Sequence, residues 1–82
     1  MKEFDPVILT EDLLDQTITD DVLSKGVVAA GTVGYIVHVY GKGEAFIVEF
    51  FDKGETIAVA DVRADQVRAA TEQDLAARRM SA

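Results

Sequence analysis

The stretch from Gly31 to Phe51 constrains the fold more than any other part of the chain, because it sets two strand-forming runs on either side of a glycine-bearing turn. Gly31-Thr32-Val33-Gly34 leads into Tyr35-Ile36-Val37-His38-Val39-Tyr40, a run of β-branched and aromatic side chains suited to a pleated, half-buried surface. Gly41-Lys42-Gly43-Glu44 then offers two residues that accept positive φ, and Phe46-Ile47-Val48-Glu49-Phe50-Phe51 resumes the same composition. The economical reading is a hairpin. Asp52-Lys53-Gly54-Glu55 repeats the turn chemistry and Thr56-Ile57-Ala58-Val59 follows as a third strand, so the centre of the chain is a three-stranded meander.

The flanks add shorter pieces. Val7-Ile8-Leu9 follows Pro6 and stops at Thr10-Glu11-Asp12, which reads as a short strand with proline in a permitted edge position. From Leu13 to Ala30 we expect a long loop holding one short helix, with Thr19 as its N-cap, Asp20 and Asp21 in its first turn and Gly26 at its end. After Asp61 two readings compete. Neither glycine nor proline occurs between Glu55 and Ala82, so residues 58–80 would tolerate one long helix. The alternative, which we adopt, is a turn at Ala64-Asp65-Gln66, a closing strand at Val67-Arg68-Ala69, and a brief helix capped by Thr71 and running through Gln73, Leu75 and Ala77. The sum is one domain over residues 1–82, with its core at about 5–69 and a helical tail at about 71–80. A mainly β, five-stranded SH3-like barrel fits that pattern, since closure also hides sheet edges.

Composition narrows what such a domain does. At 82 residues and 49% hydrophobic content the chain holds one thin core and is not disordered. The absence of cysteine excludes a disulfide framework, a thiolate zinc site and a cysteine nucleophile. No apolar run reaches the length of a bilayer and the start MKEFDPVILTEDLL lacks a basic region ahead of an apolar one, so the expectation is a cytoplasmic protein. A net charge of −7 repels phosphate backbones and anionic lipid, which argues against nucleic acid and membrane as partners. The acid is concentrated at the front, where Glu3, Asp5, Glu11, Asp12, Asp15, Asp20 and Asp21 stand against only Lys2 and Lys25.

Three groups of residues together resemble a known family: Val7-Ile8-Leu9-Thr10-Glu11-Asp12-Leu13, then Gly31 through Tyr40, then Val48-Glu49-Phe50 with Thr56-Ile57-Ala58. Over about residues 3 to 69 the chain resembles the small bacterial DUF4926 proteins, with Val37-His38-Val39-Tyr40 and Val48-Glu49-Phe50 as the most specific pieces. The resemblance implies an SH3-like barrel, similar in outline to the accessory barrel of nitrile hydratase β subunits and to KOW modules. It implies no catalytic residues, and its name denotes unknown function. Between Leu14 and Ala30 the connection is longer than the family pattern, so a site there would be peculiar to this chain.

Chemistry finds little support. His38, the single histidine, would need a carboxylate such as Glu49 across the hairpin to act as a base; the plainer account is that it faces water or a protein contact. Glu11-Asp12 and Asp20-Asp21 lack the alternating oxygen ligands of a calcium loop, and no glycine-rich segment opens a helix as a phosphate cradle does. We expect no enzyme activity, no cofactor and no metal. RNA binding of the KOW kind needs basic residues among the aromatics, and only Lys42 and Lys53 lie among Tyr35, Tyr40, Phe46 and Phe51.

What does stand out is surplus apolar surface. A strand in a one-layer sheet alternates buried and wet positions, yet here both parities are apolar: Val33, Tyr35, Val37 and Val39 against Ile36 and Tyr40, and Phe46, Val48 and Phe50 against Ile47 and Phe51. Covering a large apolar side chain contributes about 1.5–3 kcal/mol, so a bare second face is costly and invites association. We therefore expect a homo-oligomer, with Tyr35, Val37, Val39, Ile47 and Phe51 as its interface; the competing account is that the N-terminal helix or the C-terminal tail covers this face within one subunit. The functional expectation is a non-catalytic module that binds another protein, such as a regulator, an immunity protein or an antitoxin. Glu11, Asp12, Asp15, Asp20 and Asp21 would then face a basic partner. The alternative is a small cationic or apolar ligand in a cleft at a subunit interface.

Overall fold

The computed structural model describes residues 1–14, 18–21, 27–52 and 54–81; for 18–21 and 77–81 the description is of the backbone. The meander forms as its turns dictate. Strands β5 (Val33–Tyr40), β6 (Ala45–Asp52) and β7 (Glu55–Arg63) pair antiparallel in sequence order. Gly43 sits at φ +92° in the first turn, where its amide donates to the Tyr40 carbonyl at 3.2 Å, and Gly54 sits at φ +79° in the second. Lys53 of that second turn lies outside the described residues. The third strand is longer than Thr56–Val59, because pairing with β6 continues to Ala45↔Arg63.

Around the meander lie β1 (Pro6–Leu9), β2 (Leu13–Leu14), β3 (Ile18–Asp21), β4 (Val27–Val28) and β8 (Val67–Ala69). The main sheet has six strands in the order β3-β7-β6-β5-β1-β8, and β2 pairs with β4 as a separate ribbon. Leu13 and Val28 from the ribbon join the same buried cluster as Val7, Leu9, Ile36, Phe46, Val48, Phe50, Ala58, Ala60, Val62 and Val67. The core therefore lies between the concave face of the main sheet and the small ribbon, and we call that face inner.

The chain is mainly β, as its strand spacing and turn chemistry predict, but the sheet is not closed into a barrel. It is instead strongly curled, which follows from one connection. In a flat sheet β7 and β8 would be four strand spacings apart, about 19 Å. The three residues Ala64–Gln66 join them as a single turn of 3-10 helix, which rises only about 6 Å. Gln66 makes the turn possible: its side chain, 7% exposed, accepts the Arg63 amide at 2.8 Å, while its carbonyl accepts the Thr10 amide at 2.8 Å. The single-turn reading thus holds over one long helix for residues 58–80, since non-local pairing of β7 with β6 and of β8 with β1 overrides local helix propensity.

One expected element is overturned. Thr19, Asp20 and Asp21 do not cap and open a helix; they belong to β3, whose Asp20 and Asp21 pair with Val59 and Ala58 of β7. Residues with good capping chemistry take extended conformations readily, and the free edge of β7 offers backbone partners that a single capped turn does not. Residues 22–26 of that expected helix, including Gly26, lie outside the described residues. The C-terminal helix α1 (Glu72–Ser81) is present and starts as its sequence predicts: the Thr71 hydroxyl accepts the Asp74 amide at 3.1 Å, and the Asp74 carboxylate accepts the Thr71 amide at 2.8 Å.

Candidate functional site

Directly opposed residues of paired strands share a face, so the register maps the outer, convex face in rows. One row runs Arg68, Ile8, Val33, Phe51, Thr56 across β8, β1, β5, β6 and β7. The next runs Pro6, Tyr35, Glu49, Val59, and a third runs His38, Ile47, Asp61. Val33, Ile47, Phe51 and Val59 are half-buried, while Tyr35 is 39% exposed. Tyr35 and Phe51 meet edge to face, with ring centroids 5.5 Å apart at 76°.

A β-bulge breaks the alternation in β5. Ile36 opposes Val48 and His38 opposes Ile47, so Val37 is the extra residue, 37% exposed. Beyond it the parity reverses. Val39, expected on the outer face with Tyr35 and Val37, opposes buried Phe46 and packs against the core instead. His38 and Tyr40 turn outward in its place, their rings 4.8 Å apart and near perpendicular. The candidate face therefore keeps Tyr35, Val37, Ile47 and Phe51, loses Val39 and gains Val33 and Val59.

Glu49 lies within this face between Tyr35 and Val59, half-buried, and one of its oxygens accepts the Thr56 hydroxyl at 2.6 Å. It makes no ion pair among the described residues. His38 and Glu49 do not form the pair a general base would need: the bulge sets His38 opposite Ile47, and no hydrogen bond or ion pair joins the two. Sequence reasoning placed Glu49 only as a possible partner of His38. Its real setting, one carboxylate in an apolar row, is visible in the pattern Ile47-Val48-Glu49-Phe50-Phe51 once the hairpin register is known.

The family match covers residues 3–69, which takes in every strand from β1 to β8, and its description is a domain of unknown function, DUF4926. The chain belongs to the DUF4926 family. No curated protein and no solved structure matches it. Helix α1 of this DUF4926 protein follows the matched stretch and is moored to it by Arg68, whose guanidinium grips Asp74 through two contacts at 2.8 and 3.1 Å. That grip, with the Thr71 amide and hydroxyl, holds the Asp74 carboxyl well below the usual carboxylate range.

The acidic front of the DUF4926 domain draws on the loop after β1 and on β3. Glu11 and Asp12 are exposed, and Asp12 is committed to its own loop, accepting the Ala30 amide at 2.8 Å. Asp20 and Asp21 lie on the edge strand β3, and Asp15 lies outside the described residues. A cleft of about 410 Å³ opens beside the ribbon, lined by Val27, Val28, Ala29, Ala30, Thr32, Asp52 and Ile57. Among the described residues no group of three His, Cys, Asp or Glu side chains stands close enough to hold a metal ion, and no helix is long and apolar enough to cross a membrane.

Proposed function

We propose that this protein is a non-catalytic interaction module whose contact surface is the outer face of the main sheet. The observation that carries the proposal is the row pattern itself: Val33, Tyr35, Ile47, Phe51 and Val59 gather around Glu49 on the face opposite the core, Tyr35 exposed and the other four half-buried. Apolar side chains left on the outer face of a small domain support the binding of another protein there. The net charge of −7 sets the sign of a complementary partner, which is basic. Roles of this type include a regulator, an immunity protein or an antitoxin held to its target.

Light scattering on the wild type and on Ile47→Lys and Phe51→Glu tests the surface directly. If the face joins copies of the chain, the wild type has the mass of a dimer or larger and both variants are monomers with unchanged far-UV circular dichroism. If it takes a different protein, the wild type is monomeric and the two variants lose that partner. Variants that leave every association intact overturn the reading.

A second reading, a binding protein for a small cationic or apolar ligand, is favoured by the cleft beside the ribbon, whose mixed lining sets the Asp52 carboxylate beside Val27, Val28 and Ile57. Melting in the presence of alkylammonium compounds checks it, since a ligand bound only by the folded state raises the midpoint.

A further inference from the structure

We propose that Glu49, framed on the outer face by Tyr35, Phe51 and Thr56, anchors an arginine side chain presented on an apolar patch of a basic partner protein. The inference rests on the outer face being a contact surface and names what covers it. The face makes two demands that pull in different directions. Its apolar residues are stabilised by being covered, whereas Glu49 is destabilised by it, because a carboxylate removed from water needs a positive partner and more hydrogen bonds than one hydroxyl supplies. A cover that is apolar throughout satisfies the first demand and violates the second. A cover with a cation among apolar groups satisfies both.

A guanidinium fits the surroundings better than a point charge. Only one Glu49 oxygen is engaged, by the Thr56 hydroxyl at 2.6 Å, and the other has no hydrogen bond among the described residues. A planar fork can donate to both oxygens at once. Tyr35, directly across the ladder from Glu49, and Phe51, two residues along β6, supply aromatic rings on the same face for a cation to stack against.

A second copy of the chain meets the requirement poorly. A two-fold pairing of outer faces carries two Glu49 carboxylates into one interface. Among the described residues, the arginines this face offers in return are Arg63 and Arg68, which already pair with Asp65 at 3.0 Å and Asp74 at 2.8 Å. Lys42 belongs to the β5–β6 turn and not to the rows around Glu49. With seven more negative than positive charges overall, the chain is complementary to a basic surface and not to itself.

Titration of the full ¹⁵N-labelled chain with acetyl-Leu-Arg-Leu-amide and with acetyl-Leu-Gln-Leu-amide tests the anchor. The expected result is amide shifts centred on Tyr35, Glu49 and Phe51 with the arginine probe, binding about tenfold weaker to Glu49→Gln, and no difference between wild type and Glu49→Gln for the glutamine probe. Retained shift dispersion in Glu49→Gln shows that the fold survives, since glutamine can still accept from Thr56. Equal binding of the two probes at this face overturns the cation anchor and leaves the contact surface standing. So does a wild-type dimer that Phe51→Glu dissociates. A monomeric chain whose outer-face amides respond to neither probe overturns both.

Discussion

Phe50 and Phe51 are the same side chain one residue apart, and the sheet uses them for opposite purposes. Phe50 is fully buried against the ribbon side, where its neighbours across the ladder are Gly34 and Ala58. Phe51 is half-buried on the convex side, beside Val33, Thr56 and the Tyr35 ring. The inner face is a finished core in which Gly34 on β5 and Ala58 on β7 make room for Phe50 on β6. The outer face has the apolar content of a core without the matching of large to small. Hydrophobicity alone does not separate the two; complementarity of size does.

The sharpest way to break this contrast is to truncate each phenylalanine. Phe50→Ala should lower the urea-unfolding free energy by about 3–5 kcal/mol, because it leaves a cavity in a packed interior. Phe51→Ala should cost about 1 kcal/mol, the share of burial it has in the isolated chain. Equal losses would mean that the outer face is as much a core as the inner one.

A second test adds volume where the inner face has none to spare. A Cβ on Gly34 would collide with Val48 Cγ1 and approach the Glu49 carbonyl oxygen and Phe50 Cδ1 at 3.0 Å, so Gly34→Ala should cost about 1–3 kcal/mol. Gly54→Ala meets nothing within 4 Å and carries only the strain of its φ of +79°, about 1 kcal/mol. Chemical denaturation of the two variants should rank them in that order, and the reverse order would place the tight packing in the turns.

Smaller effects sharpen the contrast at the sheet's ends. Gln66→Ala removes the acceptor of the Arg63 amide inside the 3-10 turn and should cost about 1–2 kcal/mol, read as a drop in melting midpoint. The smallest effect belongs to the helix mooring on the outer side. The Asp74 carboxyl titrates lower in the folded chain than in the unfolded one, so its contribution is complete above the ordinary carboxylate pKa and is lost as pH falls below it. Both Arg68 and Asp74 are solvent-accessible, which keeps the effect slight. Circular dichroism of the helix should therefore be flat from neutral pH to about 4 and fray below, and Asp74→Asn should remove that step.

How much of this was legible in the sequence depends on which interactions decide each element. The hairpins were, because Gly43 and Gly54 and the β-branched runs around them act locally. Thr71 as the cap of α1 was, for the same reason. The bulge at Val37 was not: with Tyr35, Ile36, Val37, Val39 and Tyr40 all apolar or aromatic, alternation carries no phase, and a one-residue slip leaves no trace in the pattern. That is why Val39 was placed on the wrong face and why the isolation of Glu49 from His38 was invisible. Strand β3 was hidden differently, since Thr19-Asp20-Asp21 carries helix-start chemistry and becomes extended only because β7 presents an edge to it. An open sheet and a closed barrel, finally, differ in one missing ladder between strands, which no local signal reports.

The β1–β8 seam has a consequence for how this domain bears load. Val7 opposes Ala69, so the points where the flanking chain enters β1 and leaves β8 lie at the same end of that seam. Tension applied through the two termini therefore acts on its hydrogen bonds one after another, as in opening a zipper, and not on all of them together as in shear. Strands loaded in this way part at low force, and the whole sheet would begin to open from β8 long before the meander felt the pull.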